Sequence, residues 1–307
     1  MSRVIVVVGP TAAGKTALSL ELARALDGEV INADSMQLYR GMDIGTAKLR
    51  PHQRHGVPHH AFDLWEVSEP ASVAAYQRVA RAAIDDVLAR GRTPLLVGGS
   101  GLYLRSVLER FDFPGTDERL RAELEAELAE VGPAPLHARL AGRDPAAAAR
   151  ILPTNGRRIV RALEVVQLTG GPFVAVLPEP RPYYDSVHIG VDLDTETLDR
   201  RVAQRVDEMW AQGLVEEVQA LEGRGLRAGR TASRALGYHQ VLAYLAGVCS
   251  QEQARADTIQ ATRRFVRRQR SWFRRDQAII WLDGDCQEPA PGLQELASRA
   301  VRAIAER

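Results

Sequence analysis

The chain has 307 residues, 45% apolar and 26% charged, with a formal net charge of +1. That is the make-up of one large globular domain or two modest ones, and it excludes collagenous, low-complexity and disordered chains. No apolar run approaches the roughly 18 residues of a membrane helix, and Met1-Ser2-Arg3 runs into a strand-like segment without a leader pattern, so a cytoplasmic protein with no membrane attachment is expected.

In chain order, Val4 to Val8 is an unbroken, largely β-branched run that reads as a buried parallel strand. A helix is predicted from Lys15 to about Leu26, and a second strand from Glu29 to Ala33, ending at Asp34. Arg50 to Glu69 is rich in Pro and His, shows no period and reads as a loop. Ser72 can cap a helix whose apolar face is Tyr76, Val79, Ala83 and Val87. Leu95 to Val97 reads as a short strand closed by Gly98-Gly99. Leu120, Leu124 and Leu128 form an i, i+4 stripe stopped at Gly132-Pro133, and another helix is predicted from about Gly156 to Leu168. Strand character returns at Val187 to Leu193, a long helix follows over about Gln251 to Arg275, and a strand at Ala278 to Leu282 precedes a terminal helix. Strands alternating with helices argue for an α/β fold, a P-loop NTPase-like doubly wound parallel sheet with a helical insertion domain. The expected division is a core over 1–114, a helical insertion over 115–185 and the rest of the core over 186–307.

Gly9-Pro10-Thr11-Ala12-Ala13-Gly14-Lys15-Thr16 fits G-x-x-x-x-G-K-[ST] between a strand and a helix. Glycines let the backbone curl so that N–H groups face an anion, and the helix N-terminus behind them favours negative charge. Lys15 can reach terminal phosphates, and the Thr16 hydroxyl can ligate Mg²⁺. Lys15 is also conspicuous by composition: of 40 basic residues only Lys15 and Lys48 are lysine. The loop implies a polyphosphate ligand but not a reaction. A small-molecule kinase, an NTP-driven motor and a transferase with a diphosphate leaving group all remain open. A motor calls for an acid at the end of the strand that here closes in Gly98-Gly99; the available acid is Asp34, at the end of the second strand.

The stretch Asp34-Ser35-Met36-Gln37-Leu38-Tyr39-Arg40-Gly41-Met42-Asp43-Ile44-Gly45-Thr46-Ala47-Lys48 closely resembles the block that follows the phosphate loop in tRNA dimethylallyltransferases, also called tRNA isopentenyltransferases. Further similar segments follow in order: His59-His60, Gly98 to Tyr103, Arg157 to Glu164, Gly213 to Glu217, Gly237-Tyr238 and Arg268-Gln269. The resemblance spans about residues 4 to 282; two departures are Ser100 where the family usually has Thr, and Arg157 where it commonly has Gln.

The resemblance implies transfer of a dimethylallyl group from dimethylallyl diphosphate to the exocyclic amine of the adenosine 3′ of the anticodon in tRNA. That amine is a poor nucleophile and needs a positioned base. By resemblance Asp34 is the base and Ser100 orients the amine, while Lys15, the loop from Gly9 to Thr16, Mg²⁺ at Thr16 and a distal Arg205 stabilise the departing diphosphate. Residues implied to meet tRNA are Asp34, Ser35, Met36, Gln37, Ser100, Arg157, Arg158, Ile159, Val160 and Arg161, the last five gripping the anticodon stem-loop from the insertion. A monomer is expected. Prenylation of free adenine nucleotides and a P-loop kinase are the alternatives, distinguished by acceptor and by consumption of NTP.

Three features have plainer expectations. The four histidines from His52 to His60 lack metal-ligand spacing and read as a polar loop. Cys249 and Cys286 suggest neither a disulfide nor a structural zinc. Thr262 to Asp276 carries seven arginines and one acid, 7 − 1 = +6, and reads equally as an RNA-contacting stretch or as a solvated, ion-paired helix, with Phe265, Trp272 and Phe273 expected to make core contacts and not to stack on bases.

Overall fold

The structure is a computed structural model that describes residues 3–110, 113–173, 181–283 and 291–307. Met1, Ser2 and Cys286 lie outside the described residues. The chain forms two compact units, one built from the chain up to Glu109 and from Pro182 onward, the other from Arg110–Arg181. The second starts five residues before the expected insertion and ends four before it.

The first unit is built on six strands, β1 (Val4–Val8), β2 (Gly28–Asn32), β3 (His59–His60), β4 (Thr93–Val97), β5 (Ser186–Asp192) and β6 (Ile279–Asp283). They form one sheet in the order β3-β2-β4-β1-β5-β6, every pair parallel. From β1 the chain first builds one side of the sheet and then, with β5 and β6, the other. The phosphate loop therefore leaves the carboxyl end of the central strand where the winding reverses, the position at which open α/β sheets bind ligands. Apolar side chains alternate across the sheet. Ile5, Val7, Val30, Leu95 and Ile189 pack on one face, against α1 (Lys15–Ala25). Val4, Val6, Ile31 and Leu96 pack on the other, against α2 (Val73–Ala89) and α3 (Gly101–Leu108).

Ser72 caps α2, its hydroxyl accepting the Ala75 N–H at 3.2 Å. The buried stripe of α2 is Tyr76, Ala80, Ile84 and Val87, not the expected Tyr76, Val79, Ala83 and Val87; Val79 is 40% exposed. An alanine-rich helix offers two overlapping stripes, and Ile84, with the larger area to bury, decides between them. The segment expected to be loop from Arg50 to Glu69 contains a 3₁₀ turn, Pro51–Arg54, and the two-residue edge strand β3. A strand so short has no period to read. It is pinned by chemistry instead, with His60 Nε2 2.6 Å from the buried Glu29 carboxylate of β2. Hydrogen bonds from Arg90, Arg92 and His60 outweigh burial and hold the Glu29 carboxyl down at about 2.

The Arg110–Arg181 unit is a helical bundle of α4 (Glu118–Val131), α5 (Pro133–Arg143), α6 (Pro145–Arg150) and α7 (Gly156–Thr169). Asp117, Asp144 and Asn155 cap three of these helices with side-chain oxygens, and Gly170 ends α7 at φ 65°. Leu124, Leu136, Leu140, Ile159 and Leu163 form its core.

The chain then returns to the first unit as α8 (Thr195–Ala211), α9 (Leu214–Glu222), α10 (Tyr238–Leu245), α11 (Gln251–Phe273) and, last, α12 (Pro291–Ala305). α9 and α10 pack around Tyr39, Met42 and Val67 in a small core of their own. α11 buries Val266, Gln269 and Phe273, whereas Trp272 is 40% exposed and is no core residue. A fully apolar ring is not needed there, because the helix is held along its flank by ion pairs of Arg263 and Arg267 to Asp199 and of Arg270 and Arg274 to Asp192. Among the described residues no helix is long and apolar enough to cross a membrane.

Candidate active site

The glycines of the phosphate loop answer to steric demands. At Gly9, φ is 142° and a Cβ would strike the Val191 carbonyl of β5; at Gly14, φ is 99° as the chain turns into α1. Because α1 starts at Lys15, the N–H groups of its first turn have no carbonyl four residues back, and no acid lies in that turn to satisfy them. The Lys15 ammonium folds back onto the Pro10 carbonyl at 2.7 Å. Burial and the nearby charge of Arg205 push its pKa down to about 8, with Asp34 working in the opposite direction. Arg205, on α8, is likewise pushed down by burial and steadied by Asp34 and Glu208. Its Nε has no hydrogen-bond partner among the described residues, and its Nη2 reaches only the Thr46 carbonyl, at 3.4 Å. The structure thus brings Lys15, Arg205 and Asp34 within electrostatic reach of one another. Lys15 and Arg205 are set against two carboxylates, Asp34 and Glu208, so what the site offers an anion is the unpartnered Arg205 Nε and the first-turn N–H groups of α1.

Asp34 lies just past β2. The Asn32 side chain fixes its backbone, accepting the Asp34 N–H at 2.9 Å, and one Asp34 carboxylate oxygen accepts the Met36 N–H at 2.9 Å. Ser100 precedes α3; its hydroxyl accepts the Ser35 N–H at 3.3 Å and lies 3.4 Å from the Ser35 hydroxyl. Asp34 and Ser100 are therefore linked through Ser35. The glycines around Ser100 follow from close approaches. A Cβ on Gly98 would strike the Ala33 backbone, one on Gly99 the Gln269 amide, and one on Gly101 the Trp272 indole.

Segments far apart in sequence converge to shape the block from Asp34 to Lys48. Glu217, in the first turn of α9, accepts the N–H groups of Asp43, Ile44 and Gly45 and the Tyr238 hydroxyl. Gly45 must be glycine because the Tyr238 ring lies against it. Gln37 donates to the Thr46 carbonyl at 3.0 Å. Lys48 is buried, and its ammonium donates to the Tyr39 carbonyl, Asp43 and Asp63 at 2.6–2.8 Å. Three donors on three acceptors make it a knot in this loop, unlike Lys15. The local signal that distinguishes the two lysines is the G-x-x-x-x-G-K-[ST] motif, which holds Lys15 and not Lys48.

A cavity of about 330 Å³ opens beside Arg205, walled by Ile44, Ala47, Leu49 and Met209 and rimmed by Asp43 and Arg50. A smaller hollow lined by Thr16, Asn32 and Gln37 lies next to it, with Ala47 and Leu49 lining both. Among the described residues no group of three or more His, Cys, Asp and Glu is placed to hold a metal ion, the histidines at 52–60 included. The exposed Thr16 hydroxyl is suited to share a cation with a bound diphosphate, the usual arrangement for Mg²⁺.

In the helical unit, the tRNA-facing expectation divides. Arg157 and Arg158 are exposed at the start of α7. Ile159 and Val160 are in the unit's core, so their side chains serve as scaffold. Arg161 is spent internally, on the fully buried Glu164 at 2.7 Å and on the carbonyls of Pro114 and Gly115.

This geometry has a known counterpart. The family model described as IPP transferase matches residues 37–276, and one described as isopentenyl transferase matches residues 2–57. The chain belongs to the IPP transferase family. It is 70% identical to a tRNA dimethylallyltransferase of Salinispora arenicola over 98% of this chain and 87% of the relative. Among solved structures it resembles the tRNA isopentenylpyrophosphate transferase of Bacillus halodurans, with 39% identity over 100% of this chain and 98% of that one and a TM-score of 0.74. It also resembles a eukaryotic dimethylallyltransferase acting on tRNA, with 26% identity over 99% of this chain and 78% of that one and a TM-score of 0.84. Membership gives the convergence of Asp34, Lys15, Ser100 and Arg205 a context: these groups come from parts of the chain that the IPP transferase and isopentenyl transferase models span together.

Proposed function

We propose that the protein prenylates tRNA, moving a dimethylallyl group from dimethylallyl diphosphate to the exocyclic amine of the adenosine 3′ of the anticodon. The observation that carries this is the placing of a carboxylate, Asp34, within electrostatic reach of Lys15 of the phosphate loop and of Arg205, whose Nε has no hydrogen-bond partner among the described residues. In the reaction the allylic carbon–oxygen bond breaks, the amine nitrogen bonds to that carbon, and Asp34 accepts the proton the nitrogen sheds. Ser100, tied to Ser35, holds the amine in line. Lys15, the N–H groups at the start of α1 and Arg205 stabilise the charge that gathers on the departing diphosphate. Mg²⁺, with Thr16 and the diphosphate oxygens as ligands, would supply further charge neutralisation. No phosphoryl group moves, so no NTP is consumed.

The target base must leave its stack to reach this site, which an anticodon loop permits. The exposed Arg157 and Arg158 suit contacts to the stem's phosphates. A tRNA substrate suits a cytoplasmic enzyme, and a monomer is the expected state. The test is mass spectrometry of tRNA incubated with the protein, Mg²⁺ and dimethylallyl diphosphate, with free adenine nucleotide as a parallel acceptor. One five-carbon unit added to a single adenosine of the tRNA is expected. Modification of the free nucleotide alone, or consumption of NTP instead of the diphosphate donor, would overturn the reading.

A further inference from the structure

The two sides of the site, the loop that would hold the donor's diphosphate and the turn that carries Ser100, lie on neighbouring strands, β1 and β4. A residue from the far end of the sequence bridges them. Gln269, buried on α11, accepts the Thr11 N–H of the phosphate loop at 2.9 Å through Oε1 and donates to the Gly99 carbonyl at 3.0 Å through Nε2. Both ends of the amide are used, and both partners are backbone groups. One turn on, the Trp272 indole lies against Gly101. Helix α11 therefore grips the residues immediately before and after Ser100, and Gly99 and Gly101 are glycines because this grip leaves no room for a Cβ.

We propose that Gln269 is a positioning residue, a strut that fixes the Ser100 turn at a set distance from the phosphate loop and so registers the acceptor amine against the donor's allylic carbon. The inference rests on the prenyl-transfer reading for its consequence but not for its structure. Each polar atom of the glutamine side chain already has a protein partner, so its effect passes through Ser100 and the loop. Near-attack geometry is steep in distance, so a loosened strut costs turnover more than affinity.

The chemistry of the amide offers a selective test. In Gln269→Glu the side chain still accepts from Thr11 but can no longer donate to Gly99. In Gln269→Met it does neither. Hydrogen–deuterium exchange on the full-length protein should show the amides of residues 99–103 losing about five- to tenfold of their protection in both variants, the effect of one missing hydrogen bond. The amides of the phosphate loop should loosen only in Gln269→Met. Single-turnover prenylation of tRNA should fall roughly 10- to 100-fold in Gln269→Met. Added to Ser100→Ala, the same change should cost only a few-fold more, because both act on the same positioning. Unchanged exchange at residues 99–103 overturns the strut whatever the activity, and so do fully additive kinetic losses. A wild-type protein that fails to prenylate tRNA sinks the functional reading instead, and leaves exchange to decide the strut.

Discussion

The mouth of the phosphate loop and the helical unit use arginine and lysine in opposite ways. In the helical unit the buried charged groups among the described residues are two acids, Asp144, which accepts the Ala147 and Phe173 N–H groups, and Glu164, which is fully engaged. Glu164 has three partners. It pairs with Arg121 and Arg161 and accepts the Asp117 N–H. At the loop Lys15 and Arg205 feel each other's charge, Asp34 acts on both and Glu208 on Arg205, and Arg205 keeps an unsatisfied Nε. The first arrangement is self-contained and serves stability. An unsatisfied Nε alone does not set the second apart, since Arg139 and Arg263 also carry one; its setting does, beside a phosphate loop and the open N–H groups at the start of α1. Helix α11 shows that basic density by itself teaches neither lesson: Arg263, Arg267, Arg270 and Arg274 are held by Asp199 and Asp192.

The largest effect should come from the carboxylate near the phosphate loop. Asp34→Asn keeps the shape and removes the base, so turnover should fall by roughly 10²–10⁴ while tRNA binding changes little. Steady-state kinetics and a tRNA binding isotherm check this; near-normal turnover would make Asp34 a structural residue.

Next is Lys15. Lys15→Ala removes a charged partner of the diphosphate and should lower kcat/KM for the donor roughly 10- to 100-fold. Because the Lys15 pKa in the free protein is lowered to about 8, the ammonium is lost as pH rises through that value. Donor kcat/KM should therefore fall above about pH 8 in the wild type, and Lys15→Arg, always charged, should lack that inflection. A wild-type profile flat to about pH 10, the ordinary lysine range, would place Lys15 in a more solvated setting.

The self-contained region should answer through stability. Glu164→Ala leaves Arg121 and Arg161 without their acid, but both are partly exposed and water screens them, so a loss of about 2–3 kcal/mol is expected, below the full value for a broken buried pair. Urea unfolding measures it. An unchanged midpoint would mean that the triad contributes nothing net.

The smallest effects separate the arginines. Arg157→Ala and Arg158→Ala should each flatten the salt dependence of tRNA affinity by up to about one unit for every phosphate left without its cation. Arg161→Ala should shift stability more than that slope. Arg267→Ala, at an exposed ion pair, should cost under about 1 kcal/mol and leave the slope alone. A slope change at Arg161 or Arg267 equal to that at Arg157 would erase the distinction between the exposed arginines at the start of α7 and those spent on acids.

Much of this was legible in the amino-acid order because it rests on local rules. The run Val4–Val8, the loop Gly9–Thr16 and the start of α1 at Lys15 are neighbours in sequence, so strand, turn and helix N-terminus could be read together. The caps Ser72 and Gly170 act within a few residues of themselves. Chain order likewise placed Asp34 at the end of a strand next to that loop. What the tertiary structure alone decided are the partnerships between distant positions. The motif marked Lys15 for phosphate but left Lys48 without a role, and only the fold shows Lys48 knotted to Asp43 and Asp63 and Lys15 within electrostatic reach of Arg205. Ile159, Val160 and Arg161 follow two exposed arginines directly, and only the packing of α7 turns the first two inward and commits the third to Glu164. Gln269 meets Thr11 across 258 positions. Hydrogen bonds and buried charges are satisfied by whatever the fold brings within about 3 Å, and at such separations a sequence records the two partners but not their meeting.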